Sequence, residues 1–178
     1  MAERPCESRF AGAVFRQSTP RYAEITERTL SASARAGGRF NPAGEFGAIY
    51  VSLDPDTPFR ELHRQAMHAG AEVVAFLPRT LFAAEARLQR VVDLVCADGP
   101  GAWGLSDATL GSDDWSACQD VARRARMQGF EAIRFPSATG AGENLAIFLD
   151  RLAPGSYLRI LREEEVRPGL SGPSGTGA

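Results

Sequence analysis

The sequence predicts an α+β domain built on a mixed, largely antiparallel sheet flanked by helices. Three observations predict it: strand-like runs outnumber helical ones, the two kinds do not alternate regularly, and loops rich in turn formers separate them. The chain has 178 residues, of which 44% are hydrophobic and 24% charged, enough for one sizeable core. A single catalytic-size domain over residues 1–166 is expected, with a disordered Gly, Pro and Ser-rich tail over 167–178.

Gly12 to Arg16 (GAVFR) reads as a first strand, and Tyr22 to about Ala36 as a helix-compatible stretch, with Pro20 between them. The loop Gly37-Gly38-Arg39-Phe40-Asn41-Pro42-Ala43-Gly44 follows, a run of turn formers of the kind that often carries function. Ala48 to Ser52 reads as a strand. Asp54 or Asp56 can then cap a helix running to about Ala69, with Pro58 tolerated in its first turn. On that helix Phe59, Leu62, Ala66 and Ala69 share one face, and Glu61, Gln65 and His68 another. Further strands are expected over Glu72 to Leu77 (EVVAFL) and Leu88 to Val95, then a helix from Asp114 to Gln128 closed by Gly129. Two apolar strands, Phe130 to Phe135 and Asn144 to Leu149, flank the small-residue loop from Pro136 to Glu143, and a last strand covers Tyr157 to Leu161.

Composition removes several function classes. A formal net charge of -2 and a pI near 5.8 give no global attraction for nucleic acid or anionic membrane. All 20 basic residues are arginine, so any anion site must use forked, permanently charged donors. The three cysteines, Cys6, Cys96 and Cys118, form no CxxC pair, and their odd number argues against a disulfide framework; they read as reduced thiols. MAERPCESRF lacks the apolar stretch of a signal peptide, and no run approaches the ~20 apolar residues that cross a bilayer, so a cytoplasmic protein is expected. His63 and His68 are five apart, not the four that stack two ligands on one helix face, and no HExxH, GxGxxG or GxxxxGK[ST] occurs. No metal and no resident cofactor are therefore expected.

Two runs stand out: GGRFNPAGEFGAIYVSLDPDTPFRELHR from Gly37 to Arg64, and GFEAIRFPSATGAGENLAIF from Gly129 to Phe148. Taken with the early Phe15-Arg16, their order and spacing resemble the RES domain, named for an arginine, a glutamate and a serine and found as the toxin of toxin–antitoxin pairs. The resemblance extends from about Val14 to Ile160. It marks Arg16, Arg39, Tyr50, Glu61 and Ser137 as the functional set, with Asn41 and Asn144 in support. The chain departs from the pattern at Gln17, where some relatives carry an aromatic residue.

The resemblance implies an ADP-ribosyltransferase-like fold that binds NAD⁺ as substrate and breaks its nicotinamide–ribose bond, with water or inorganic phosphate as acceptor. It also implies growth inhibition by NAD⁺ depletion, and an Xre-like antitoxin that blocks the active-site entrance, with this chain as a homodimer inside the antitoxin complex and making no direct contact with nucleic acid. The residue types suit that chemistry. Nicotinamide leaves neutral and needs no acid, so the lack of a catalytic histidine is no obstacle. A carboxylate, Glu61, can face the sugar as it turns cationic, and Arg16 and Arg39 can clamp the pyrophosphate. Tyr50 offers a ring and a hydroxyl, and Ser137 a hydroxyl in a loop of small residues.

Each residue also has an ordinary reading. Glu61 alone would be a solvated helix residue paired with Arg60 or Arg64, Arg16 would pair with Glu24 or Glu27, and Arg39 would support a turn. Trp103 and Trp115 read as packing residues. Two other functions compete with NAD⁺ cleavage: ADP-ribosylation of a macromolecular target, and a catalytically silent nucleotide-binding module. The second should have lost the charged set that is present here.

Overall fold

The longest strand, β3 (Arg79–Asp93), organises the sheet. Thr80, Phe82, Ala84, Ala86 and Leu88 alternate inward along it, while Arg87 and Gln89 face out, the two-residue period of a strand with one buried face. A computed structural model describes residues 6–22 and 24–167. Its other strands are β1 (Glu7–Ser18), β2 (Ile49–Ser52), β4 (Ala132–Pro136), β5 (Glu143–Ile147) and β6 (Tyr157–Val166). The helices are α1 (Glu27–Ala36), α2 (Thr57–His68), the short α3 (Gly99–Ala102) and α4 (Asp107–Gly111), and α5 (Ser116–Met127).

The six strands run in the order β1-β2-β5-β4-β3-β6, and β1 also pairs with β3. That extra pairing closes β1, β2, β5, β4 and β3 into a ring, with β6 added along the first half of β3. Only β3 and β4 pair in parallel among the described strands; the rest are antiparallel. The sheet is therefore mixed and largely antiparallel, as the sequence predicts. One face gathers Val14, Ile49, Val51, Phe82, Ala84, Leu145 and Ile147. The intervening residues, Ile133, Phe135, Ala146 and Phe148, meet α5 through Cys118, Val121, Ala122 and Ala125, with Phe40 and Trp103 in the same cluster.

The structure corrects several sequence-based expectations. EVVAFL is not a strand: Val73–Phe76 forms a 3-10 turn, and Val74 is 51% exposed, because a short apolar run carries no period that separates strand from turn. The expected helix from Tyr22 starts only at Glu27, after a separate 3-10 turn over Pro20–Tyr22. β1 and β3 are far longer than predicted. Trp103 packs in the core, but Trp115 is 39% exposed. The cysteines are not all reduced: Cys6 and Cys96 form a disulfide, and only Cys118 is free and buried. The antiparallel register Glu7↔Val92 brings the start of β1 to the end of β3, where the Cα atoms of Cys6 and Cys96 lie 6.8 Å apart. An odd count does not prevent one such pair. The expected tail lies, beyond Arg167, outside the described residues, and no described helix is long and apolar enough to cross a membrane.

Glu131, just before β4, is fully buried and accepts backbone N–H groups from Gln89 (2.6 Å), Arg90 (3.1 Å) and Ala153 (2.6 Å). Burial pushes its pKa up, but the backbone donors outweigh this and hold it below the ordinary carboxylate range. Glu131→Gln should cost about 2–3 kcal/mol at neutral pH, since an amide turns N–H against N–H. Because the folded pKa is depressed, the stabilisation is complete above the unfolded carboxylate range and is lost as pH falls through the folded value. Denaturant titrations of both proteins should therefore converge in acid.

Candidate active site

Glu61 is placed by the start of α2. Asp54, rather than Asp56, caps that start: its Oδ1 accepts the Thr57 N–H at 2.9 Å and its Oδ2 the Thr57 hydroxyl at 2.6 Å. Burial pulls the Asp54 pKa up, yet these bonds and Arg60 leave it below its usual value. Arg60 donates to Asp54 at 3.0 Å, so it is not the partner of Glu61, and no ion pair to Glu61 occurs among the described residues.

What Glu61 meets instead is a set of neutral donors. Its Oε1 accepts the Ser137 hydroxyl at 2.9 Å and the Asn144 amide at 2.7 Å. The Asn144 Oδ1 in turn accepts the Ser52 hydroxyl at 2.8 Å, across the register pair Ser52↔Asn144 of β2 and β5. Both donors to Glu61 fall on one oxygen, so the carboxylate is oriented without being neutralised. Ser52 was not singled out from the sequence. Its signal was only that it ends the strand before the capped helix.

The Ser137 loop is held against α2 by a close approach. Gly142 adopts φ +83°, and a Cβ there would lie 2.1 Å from the Thr57 hydroxyl and 2.6 Å from Asp54 Oδ2. The same small residue thus brings Ser137, Asp54 and Thr57 together.

The GGRFN turn forms the opposite support. Gly38 and Asn41 exchange backbone hydrogen bonds, at 2.7 and 3.3 Å. The Tyr50 hydroxyl donates to Asn41 Oδ1 and accepts the Phe40 N–H, both at 2.8 Å. Asn41 also donates to the Ser33 carbonyl at 3.0 Å. The Gln119 amide caps the Gly38 carbonyl at 3.0 Å, and Arg39 donates through Nη1 to the Leu110 carbonyl at the end of α4. Burial raises the Tyr50 pKa well above its usual range, so the hydroxyl stays protonated. Tyr50→Phe should cost about 1–3 kcal/mol by leaving the buried Asn41 oxygen and Phe40 N–H unpaired, and thermal melts should show it.

One cavity of about 350 Å³ joins these parts, and Arg16, Gln17, Arg39, Tyr50, Ser52, Glu61, Ala138 and Asn144 are among its lining residues. Arg39 and Glu61, expected to share a cleft, do so. Ser137 stands behind Glu61 rather than in the wall, and Asn41 is fully buried away from the cavity, tied to the turn. Arg16 is not paired with Glu24 or Glu27. Its guanidinium lies 5.8 Å from the centre of the Phe82 ring, and its buried Nη1 has no partner among the described residues. Burial lowers its pKa to about 10, which leaves it charged at neutral pH. An oriented carboxylate and a half-buried guanidinium thus line one cavity.

A family model described as the RES domain matches residues 13–166. The chain belongs to the RES family. It is 30% identical, over 138 residues, to the NAD(+) phosphorylase MbcT of Mycobacterium bovis, a match covering 76% of this chain and 74% of that protein. The MbcT of Mycobacterium tuberculosis matches to the same extent. Among solved structures, the crystal structure of the M. tuberculosis MbcT–MbcA toxin–antitoxin complex superposes with a TM-score of 0.80 and 22% identity, over 91% of this chain and 87% of that one. That likeness concerns the fold.

Proposed function

We propose that this RES-family protein is a toxin-type enzyme that cleaves NAD⁺ between nicotinamide and ribose, with phosphate or water as acceptor. The observation that carries the reading is Glu61: a carboxylate oriented by Ser137 and Asn144, free of any ion pair among the described residues, in one cavity with Arg16 and Arg39. The similarity to MbcT supports phosphate as acceptor.

In this reading the C1″–N bond breaks and its electron pair leaves with nicotinamide, which departs neutral. The ribose carbon becomes oxocarbenium-like, and the Glu61 charge stabilises it where the positive charge develops. A phosphate or water oxygen then bonds to C1″ and releases a proton, giving ADP-ribose 1″-phosphate or ADP-ribose. Arg16 and Arg39 hold phosphoryl oxygens; Arg39 has donors to spare beyond the one given to Leu110. Tyr50 acts from behind, by fixing the turn that presents Arg39.

The reading extends to an ADP-ribosyltransferase-like fold, a cytoplasmic setting, growth arrest by NAD⁺ loss, and an Xre-like antitoxin that covers the cavity mouth, with this chain as a homodimer in that complex. The toxin–antitoxin structure that matches the fold supports the antitoxin partner. Chromatography of the antitoxin-free protein incubated with NAD⁺, with and without inorganic phosphate, tests the whole. Nicotinamide with ADP-ribose 1″-phosphate only in phosphate supports the phosphorylase. ADP-ribose in both supports hydrolysis, label transferred to a macromolecule supports ADP-ribosylation, and intact NAD⁺ overturns the reading.

A further inference from the structure

β2 is four residues long, and side chains alternate between its two faces. Ile49 and Val51 enter the apolar core, while Tyr50 and Ser52, two residues apart on the other face, line the cavity with Glu61. The Tyr50 hydroxyl ties down the turn that carries Arg39. The Ser52 hydroxyl stands directly across the sheet from Asn144, its register partner, and donates to the amide oxygen at 2.8 Å, both residues being buried. The other end of that amide, Nδ2, donates to Glu61 Oε1 at 2.7 Å. An amide has an accepting and a donating end of nearly the same shape, so its neighbours must select between them. Glu61, as a carboxylate, only accepts, and the Ser52 hydroxyl makes no other hydrogen bond among the described residues. Both ends of the amide are therefore matched only in the orientation observed.

Building on the proposed reaction, we infer that Ser52 is a positioning residue for Glu61, acting through the Asn144 amide rather than on the substrate. Without the hydroxyl the Asn144 Oδ1 has no donor, and the amide turns to find one in the water of the cavity that Asn144 lines. Nδ2 then leaves Glu61, whose Oε1 keeps only the Ser137 hydroxyl. The carboxylate retains its charge but loses its orientation. That error is felt once the ribose turns cationic, so the loss falls on kcat.

The test measures NAD⁺ consumption by the wild type, Ser52→Ala, Asn144→Ala and the double variant. Ser52→Ala should lower kcat by on the order of 10-fold with KM little changed. In the Asn144→Ala background the same substitution should lower kcat no further, because the amide through which Ser52 acts is gone. Ser52→Cys, close in size and a weak donor, should show a smaller loss with the same dependence on Asn144. An equal fall in both backgrounds, a loss carried by KM, or a larger loss in Ser52→Cys than in Ser52→Ala makes Ser52 a packing residue and overturns the inference while the proposed reaction stands. Wild-type kcat in Ser52→Ala overturns it in the same way. A wild type that leaves NAD⁺ intact overturns both.

Discussion

Glu61→Gln is expected to lower NAD⁺ consumption by on the order of 10²–10³-fold, in kcat rather than KM, with little change in thermal stability. The amide keeps an oxygen for the Ser137 hydroxyl and the Asn144 amide, now 2.9 and 2.7 Å from Glu61 Oε1, so the cluster can persist. What disappears is the negative charge, and the charge matters only once the ribose turns cationic. Substrate binding should survive, so calorimetry on the variant should still detect NAD⁺ while nicotinamide release slows. A variant that turns over at the wild-type rate would remove Glu61 from the mechanism.

The elements that place Glu61 were unequally visible in the sequence. The helix was legible from Asp54, Pro58 and the apolar spacing of Leu62 and Ala66, both now buried. The GGRFN loop was legible as a turn. Its three clamps were not: Tyr50, Gln119 and the Leu110 carbonyl meet it across separations of up to 81 residues, and no local pattern encodes such contacts. Arg39 illustrates the difference, since its presence in the site was predicted and its tether to α4 was not.

β3 fails for another reason. Its alternation is real, but at Ala84 and Ala86 the inward residues are small, and Arg79, Glu85 and Arg87 on the other face break the apolar run. Small inward residues give the weakest periodic signal. Two polar residues of the site were hidden similarly. Ser52 and Gln17 are ordinary strand residues until β1, β2 and β5 come together, and only then do they line one cavity.

Arg16 makes the second large effect, one in which activity and stability should move in different directions. Arg16→Met removes a cation whose buried Nη1 has no partner among the described residues, keeps an apolar stem over Phe82, and relieves the desolvation that lowers the guanidinium pKa to about 10. The melting temperature of the ligand-free variant should therefore equal or exceed that of the wild type. NAD⁺ turnover should nevertheless fall by on the order of 100-fold, because under the proposed reaction the site loses a phosphoryl clamp. Inorganic phosphate should raise the wild-type melting temperature through binding to the folded state alone, and should do so far less in the variant. A structural arginine would give the opposite pattern, with destabilisation and activity loss together and an unchanged response to phosphate.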